Sequence, residues 1–138
     1  MSEANEAVVR VLVEAFLRHD TAVMEALMDP EVEWDASELR RSFPDMSRNE
    51  YRGQEGTREF WGAWISSWKD IQFDYELRAA GDMVAVLISN QRQWGRHSDA
   101  ETRFPDYAWV YTVREGRITR GRFHGDHASA LDAVGLEP

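Results

Sequence analysis

The sequence predicts an α+β domain in which helices pack against one side of an antiparallel sheet. Through most of the first half of the chain, apolar residues recur every three or four positions, which is the spacing of amphipathic helices. From Ile71 onward the apolar residues alternate with polar ones, and a period of two is typical of strands. Helical and strand-like segments are thus segregated along the chain, as in the α+β class.

The composition excludes several classes of protein. With 43% apolar residues, 12% aromatic residues and six Trp, the chain has enough apolar surface for a packed core. Its net charge of −9 opposes binding to nucleic acids and to acidic membranes, so we expect neither partner. The chain contains no cysteine, and acidic residues stand where a signal peptide carries Lys or Arg. We therefore expect one cytoplasmic domain over residues 1–138, without a metal or another cofactor.

Two helices and a short strand are predicted at the start of the chain. The first helix presents a stripe of apolar residues to the core. Asp20 is expected to cap the second, shorter helix, which ends at Asp29-Pro30 because proline cannot continue a helix. The strand covers Glu31–Asp35 and places Trp34 on its apolar face.

A polar stretch separates this strand from the third helix. It runs from Ala36 to Arg52, and connections of such length often serve as lids or binding loops. We expect its part Ser37–Glu50 to be mobile in the free protein and to become ordered when the pocket fills, with Phe43 and Met46 folding down over it.

The third helix is predicted over Gln54–Trp68 and carries a broad aromatic stripe. Such a stripe is typical of core packing, but its sheet-facing end can also form the wall of a cavity. The stripe consists of Phe60, Trp61, Trp64, Ile65 and Trp68.

Strands joined by turns then predict an antiparallel meander and a terminal helix. Asp126 is expected to cap this helix, and Gly135 to end it in a left-handed conformation. The strands run from Ile71 to a turn at Ala80-Gly81-Asp82, over Met83–Trp94, over Tyr107–Val113 and over Ile118–His124, with Gly95–Arg103 as a solvated hairpin.

Three segments of the chain resemble one known superfamily. DPEVEWDAS, YRGQEGTREFWGAW and VREGRITRGRFHGDHASALDAVGL are similar to the nuclear transport factor 2-like proteins, and above all to the SnoaL-like group related to bacterial polyketide cyclases. The resemblance covers nearly the whole chain except Ser37–Glu50, which is longer than usual. It implies a cone-shaped barrel of a strongly bent antiparallel sheet packed against three helices. It also implies a pocket inside the cone and a homodimer formed through the outer face of the sheet.

The catalytic positions of these relatives carry aromatic residues in this chain. Counted from the shared Gly-Arg-Ile turn, the acid/base Asp of polyketide cyclases and its neighbouring His fall on Phe123 and Trp109. The first-helix Tyr and first-strand Asp of steroid isomerases fall near Phe16 and Trp34. None of these four side chains can transfer a proton, so the resemblance favours binding over catalysis.

A similar substitution affects the positions used by limonene epoxide hydrolases. Arg92 matches their Arg, but Trp94 stands in place of their second Asp. If this strand keeps strict alternation, Asn90 and Arg92 are polar groups in an otherwise apolar wall, which is the usual composition of a ligand site. A register shifted by one residue points both side chains to solvent instead.

The register of the last strand leaves a second alternative open. With Phe123 and Trp109 directed inward, alternation also directs Gly121 and Thr119 inward and turns His124 outward. A shift by one residue makes His124 the inward candidate. Tyr107, Tyr111 and Val113 share the face of Trp109.

Two polar clusters allow a structural and a functional interpretation. Asp35 can cap the turn that follows its strand, or it can bind a ligand hydroxyl or accept a proton at the mouth of the pocket. The cluster of His124, Asp126 and His127 does not have the spacing of a metal site, and Asp126 is better explained as a helix cap.

The sequence thus supports three hypotheses. The first is a binding protein for a small apolar or polycyclic molecule. The second is a cyclase, isomerase or hydrolase of a polyketide-, steroid- or terpenoid-like substrate, and the third is an interaction protein that pairs through its outer sheet face. The ligand-binding candidates are Phe16, Trp34, Trp61, Trp64, Tyr75, Asn90, Arg92, Trp94, Trp109 and Phe123, and the acid/base candidates are Asp35, Arg92, Asp106, Tyr107 and His124.

Overall fold

The computed structural model describes residues 2–42, 48–65, 68–95 and 100–136. In these ranges the chain forms helices that pack on a curved sheet. The helices are α1 Ser2–Leu17, α2 Thr21–Ala26, α3 Ser37–Ser42, α4 Gly53–Ile65 and α5 His127–Ala133. The strands are β1 Met28–Asp35, β2 Glu50–Arg52, β3 Trp68–Ala80, β4 Met83–Gly95, β5 Glu101–Arg103, β6 Tyr107–Arg114 and β7 Arg117–His124.

The strands form one mixed sheet in the order β2-β1-β7-β6-β4-β3, and β5 pairs with the end of β4. The predicted meander is confirmed, because β3, β4, β6 and β7 are antiparallel neighbours. The first strand, β1, pairs in parallel with the last, β7, which the local pattern did not predict. The α+β class, the bent sheet and the short terminal helix are confirmed.

Both predicted helix caps are present. The carboxylate of Asp20 accepts a hydrogen bond from the N–H of Val23 at 3.2 Å, and that of Asp126 accepts one from Ser129 at 2.7 Å. Gly135 has a φ of +79° and follows α5, as predicted. The second helix ends earlier than expected, so that the Asp29-Pro30 pair lies within β1.

The polar stretch after β1 contains a helix and a strand that the sequence did not predict. Asp35 Oδ1 accepts hydrogen bonds from the N–H and the hydroxyl of Ser37 at 3.1 and 2.6 Å, and α3 follows directly. Further on, β2 pairs with β1. Phe43 and Met46 lie outside the described residues, so the mobility of this segment stays a prediction.

Two boundaries in the middle of the chain also differ from the prediction. The third helical segment, α4, ends at Ile65, and Trp68 is the first residue of β3. The hairpin expected to be solvated contains β5, which pairs with the end of β4.

A bulge in β4 reverses the predicted orientation of its second half. Asn90 has a φ of 55°, and the pairing with β3 shifts there, so that one residue is added to β4 relative to its partner. The predicted common face of Asn90, Arg92 and Trp94 with the core residues is therefore wrong. Gln91 and Gln93 take the inward positions instead and are only 1% and 0% exposed.

A second irregularity lies between β6 and β7. Thr112 pairs with Arg120 while Val113 pairs with Ile118, so Thr119 is displaced from the inward row that the sequence predicted for it. Ile118 lies in the core in its place. The inward positions of the other predicted residues, including Gly121 and Phe123, are confirmed.

Apolar residues form a separate cluster on each face of the sheet. The larger cluster lies between the inner face and helices α1, α2 and α4. The smaller one lies on the outer face, where α5 covers β4 and β6. Part of the surface predicted for dimerisation is thereby buried within the chain. The residues that pack together there are Ala85, Leu87, Ala108 and Val110 of the sheet and Ala130, Leu131 and Val134 at the end of the chain.

Candidate functional site

A cavity of about 540 Å³ lies between the inner face of the sheet and the helices. Its size falls in the range of small-molecule sites. Helices α1 to α4 each contribute side chains, and β6 and β7 supply aromatic rings from the opposite wall. Of the residues predicted to bind a ligand or to act on it, Phe16, Trp34, Trp61, Asp106, Tyr107, Trp109 and Phe123 lie in the lining.

Trp34 is the centre of the aromatic wall. Its ring stacks on Phe60 at a centroid distance of 5.4 Å and meets Trp61, Trp109 and Tyr111 edge to face at 5.4, 5.7 and 5.9 Å. These geometries are the favoured ones for aromatic pairs. The wall is therefore held by ring contacts from β1, α4 and β6 at once.

The polar edge of Trp34 is fully satisfied away from the cavity. Its indole N–H donates to the hydroxyl of Thr57 at 2.9 Å, and that hydroxyl donates to the carbonyl of Gly53 at 2.7 Å. The indole is thus fixed in orientation, since a buried N–H without an acceptor would be costly. Only apolar ring surface remains to face the cavity.

Gly121 on β7 makes room for this ring. A Cβ at this position would lie 2.7 Å from Cζ3 and 2.8 Å from Cε3 of Trp34, and 3.1 Å from Cε1 of Tyr111. Trp34 and Tyr111 are its partners on the two neighbouring strands. The absence of a side chain at Gly121 thus brings the rings of β1 and β6 together over β7.

The floor of the cavity carries the residues at the cyclase positions. Phe123 is buried, stacks on Tyr107 at 5.2 Å and meets Trp109 edge to face at 5.5 Å. Trp109 in turn stacks on Tyr111 at 6.0 Å. The inward register of Phe123 and Trp109 is confirmed, and the floor that they form consists of aromatic rings.

Two tyrosines supply the hydroxyls of this region. The Tyr107 hydroxyl donates to Oε1 of Gln91, whose Nε2 donates to Oε1 of Gln93 at 2.8 Å. Burial raises the pKa of Tyr107 and of Tyr111 far above the ordinary value for tyrosine. Both hydroxyls therefore stay protonated and act as neutral hydrogen-bonding groups.

His124 lies on the opposite face of β7 from Phe123. Its imidazole is buried, and Nδ1 shares a hydrogen bond of 3.0 Å with the Ser129 hydroxyl and lies 4.0 Å from a carboxylate oxygen of Glu38. Burial lowers the pKa of His124, and Arg122 lowers it further against the opposing effect of the nearby carboxylates. The alternative register with His124 inward is thus wrong, because the strand is regular from Gly121 onward.

Asp35 also faces away from the cavity. Burial alone would raise the pKa of its carboxyl group, but hydrogen bonds from Ser37 and the guanidinium groups of Arg122 and Arg120 outweigh it and hold this pKa below the ordinary value. Both guanidinium groups lie 3.7 Å from Oδ2. The capping interpretation of Asp35 is confirmed.

Several other candidates are not brought into the cavity lining. The Tyr75 hydroxyl donates to the carboxylate of Glu14 on α1, and the exposed Asn90 amide donates to Asp74 at 2.9 Å. Arg92 and Trp94 are not part of the lining, because the bulge at Asn90 gives the buried positions of this half of β4 to Gln91 and Gln93. The side chain of Trp64 lies outside the described residues.

The sequence interpretation missed one edge of the cavity. Glu38 and Leu39 of α3 line it, together with Phe104 and Pro105 after β5. The signal for α3 was present, since Asp35 and Ser37 are helix-capping residues before an apolar position. The signal for Phe104-Pro105 was an apolar pair within a polar stretch.

Two structural features are absent from the described ranges. No cluster of three or more His, Cys, Asp or Glu side chains there could hold a metal ion. None of the helices in those ranges is long and apolar enough to cross a membrane.

The bent sheet with helices on its inner face is the fold of nuclear transport factor 2-like proteins, which the chain shares with solved structures of that class. Within that class, the family model of the SnoaL-like domain matches residues 9–121. The chain therefore belongs to the SnoaL-like family.

Solved structures with the same fold cover almost the whole chain. An NTF2-like protein of unknown function from Burkholderia pseudomallei is 20% identical, with 97% of this chain and 98% of that one aligned at a TM-score of 0.71. TerC, co-crystallised with polyporic acid, is 20% identical over 95% and 97% of the two chains at a TM-score of 0.73. A putative polyketide cyclase from Xanthomonas campestris is 16% identical over 98% and 97%, also at 0.73. No match was found among curated proteins.

Proposed function

We propose that this protein binds a small, flat, largely apolar molecule in the aromatic cavity. The observation that carries the proposal is the floor, where Phe123 and Trp109 occupy the positions that are acid and base in related cyclases. Aromatic rings provide large apolar contact area, and burial of apolar area is the main source of affinity for such ligands.

The ionisable groups around the cavity support binding rather than catalysis. Tyr107 and Tyr111 have pKa values raised by burial, so neither supplies a base near neutral pH. A general base needs a pKa near the working pH and a position at the reacting atom. The charged residues of the lining, namely Glu38, Arg103 and Asp106, come from α3 and from the segment around β5 rather than from the strands of the floor.

One relative of the same fold gives independent support. TerC has been crystallised with a small organic acid, polyporic acid. The aromatic wall around Trp34 is suited to a flat molecule, because stacked and edge-to-face contacts both become available. We propose that the ligand of this protein is also a small organic compound, and that its body is planar and apolar.

The proposal is tested by filling the cavity from one helix. Val13 of α1 lines the cavity, whereas Val11 of the same helix is 45% exposed. The fluorescence of N-phenylnaphthylamine, an apolar dye, should rise on titration with the wild-type protein. In Val13→Phe we expect an affinity at least about tenfold weaker, which corresponds to about 1.4 kcal/mol.

Val11→Phe is the matched control and should bind the dye like the wild type. Thermal melts of both variants verify that the fold is retained. Dye binding that is unchanged in Val13→Phe, or absent from the wild type, would contradict binding in this cavity.

An enzyme is the second candidate, because the carboxylate of Glu38 in the lining lies close to the imidazole of His124. Glu38 could act as a base with His124, 4.0 Å away, as its positioning partner. For an isomerase or a cyclase, this base would remove a proton next to a carbonyl group. Exchange of the α-protons of tetralone in D₂O, followed by NMR, should then exceed the buffer rate and return to it in Glu38→Gln. Exchange at the buffer rate in the wild type would exclude this chemistry for tetralone.

We also propose a cytoplasmic homodimer that uses the outer face of the sheet. The exposed part of this face carries Arg120 and Arg122 beside the region under α5. Light scattering should give twice the chain mass of 16.0 kDa. A single 16.0 kDa species at micromolar concentration would contradict the dimer.

A further inference from the structure

The hydroxyl of Tyr111 is a polar group of the cavity wall without a partner. Tyr111 is 8% exposed and lines the cavity from β6. Its ring is held by Trp34 and Trp109, at 5.9 and 6.0 Å, and by close approach to Gly121. Among the described residues, none donates to or accepts from its hydroxyl. No described side chain or backbone group uses this hydroxyl, and it borders the cavity, so it is available to a molecule that fills the cavity.

Two other tyrosines of the same region differ in this respect. The hydroxyl of Tyr107 donates its proton to Gln91, and the amide of Gln91 donates in turn to Gln93. The hydroxyl of Tyr51 has no partner either, but it is sealed in the protein and Tyr51 does not line the cavity. Tyr111 alone of the three combines an uncommitted hydroxyl with a position in the cavity wall.

The surroundings of Tyr111 select an uncharged acceptor. The ring of Tyr111 contacts the aromatic side chains of Trp34 and Trp109 and lies close to Gly121, none of which carries a charge. An anion bound there would lose its hydration among these rings, and the charged residues of the lining are two carboxylates, Glu38 and Asp106, against one guanidinium group, Arg103. A carbonyl or ether oxygen needs only the one hydrogen bond that Tyr111 can donate.

We infer that the ligand is a flat, uncharged molecule with a carbonyl or ether oxygen, and that Tyr111 selects it by donating a hydrogen bond to that oxygen. This inference rests on the proposed function, because it names the chemistry of the molecule that the cavity binds. Tyr111 thereby becomes the residue that distinguishes an oxygenated polycyclic compound from a hydrocarbon of the same shape.

The experiment compares fluorenone with fluorene, which differ by the carbonyl oxygen. Their affinities are measured by displacement of N-phenylnaphthylamine from the wild-type protein, Tyr111→Phe and Tyr51→Phe. The wild type should bind fluorenone about five- to tenfold more tightly than fluorene, as one buried hydrogen bond allows. Tyr111→Phe should lose this preference by weakening fluorenone alone.

Tyr51→Phe removes a buried hydroxyl outside the lining and should keep the wild-type preference. If both compounds displace the dye but Tyr111→Phe leaves the preference unchanged, or the wild type has none, the role of Tyr111 is wrong while binding in the cavity stands. Fluorene-carboxylate bound more tightly than fluorenone would overturn the selection of an uncharged acceptor. If neither fluorenone nor fluorene displaces the dye, both the inference and the proposed ligand class fail.

Discussion

The two faces of the parallel strand pair β1 and β7 have opposite character, although they alternate residue by residue. On the inner face, Trp34 lies over Gly121 next to Phe123 and belongs to the aromatic wall. On the outer face, Asp35 lies between Arg120 and Arg122 in a network of ion pairs. One strand pair therefore supplies both the lining of the cavity and a charged surface.

The difference lies in how each face responds to a change. The inner face is closely packed, so a small change in volume or polarity there has no space or solvent to absorb it. The outer face contacts water, which screens its charges and limits the contribution of each ion pair. Substitutions on the inner face should thus affect stability more than substitutions on the outer face of the same strands.

The largest effect is expected for Phe123→Asp. A carboxylate at this buried position has no partner among the rings of the floor, and we expect a loss of about 3–5 kcal/mol in the free energy of unfolding. The loss should shrink at acidic pH as the carboxyl group takes up a proton, since burial raises its pKa. Urea unfolding at several pH values measures both effects, and dye binding should weaken.

Arg117→Asp is the control, because Arg117 is exposed at the start of the same strand. The free energy of unfolding of this variant should differ from that of the wild type by less than about 0.5 kcal/mol. If Phe123→Asp is as stable as the wild type and binds the dye equally well, this side chain faces solvent and the assignment of the two faces is wrong.

A smaller effect is expected when one methyl group is added between the strands. In Gly121→Ala the new Cβ would lie 2.7 Å from the ring of Trp34, which is itself held by four other rings. We expect a loss of about 1–3 kcal/mol, because overpacking forces side chains or backbone to shift. In Gly125→Ala the added methyl group would meet no atom within 4 Å, so this variant should melt like the wild type. Equal melting temperatures for the two variants would contradict the close packing of Trp34 on β7.

The outer face is tested by removing one charge without changing shape. Asp35→Asn keeps an oxygen for the hydrogen bonds from Ser37 but removes the attraction to Arg120 and Arg122, and we expect a loss of about 1 kcal/mol. Glu33→Gln breaks a more exposed pair with Arg52 and should cost at most about 0.5 kcal/mol. Chemical unfolding in low and high salt measures the loss of stability in both variants, and the loss in Asp35→Asn should decrease as the salt concentration rises. A loss in Asp35→Asn as large as that in Phe123→Asp would remove the distinction between the faces.

The smallest effect concerns the pH dependence of His124. Burial lowers its pKa in the folded protein, so the unfolded chain binds this proton more readily. Its neutral form therefore stabilises the fold at neutral pH, and this contribution is lost as the pH falls below the ordinary His value of about 6.5. The melting temperature of the wild type should fall more between pH 7 and pH 5 than that of His124→Gln, with the exposed His19→Gln as the control. Parallel curves for wild type and His124→Gln would contradict this.

Predictions from the sequence succeeded where the signal is local. The caps at Asp20 and Asp126 and the turn at Gly135 depend on a few neighbouring residues, and all three are confirmed. The inward rings of β6 and β7 followed from alternation anchored at a recognisable turn. The predicted orientation of the second half of β4 was wrong because it also relied on alternation. Asn90 carries no pattern that requires a bulge, and one added residue reverses the side of the sheet to which the following residues point.

By itself, the sequence determined the α+β class, the order of the main helices and strands, and the aromatic identity of the residues at the cyclase positions. The parallel pairing of β1 with β7, the position of Trp34 over Gly121 and the inward orientation of Gln91 instead of Asn90 became known only from the folded chain. The tertiary structure also brought Glu38 of α3 to the cavity and left the hydroxyl of Tyr111 without a hydrogen-bond partner among the described residues. The physical reason is that periodicity and caps are set by residues near one another in the chain. Pairing register, close approach and hydrogen-bond satisfaction depend on partners that only the folded chain brings together.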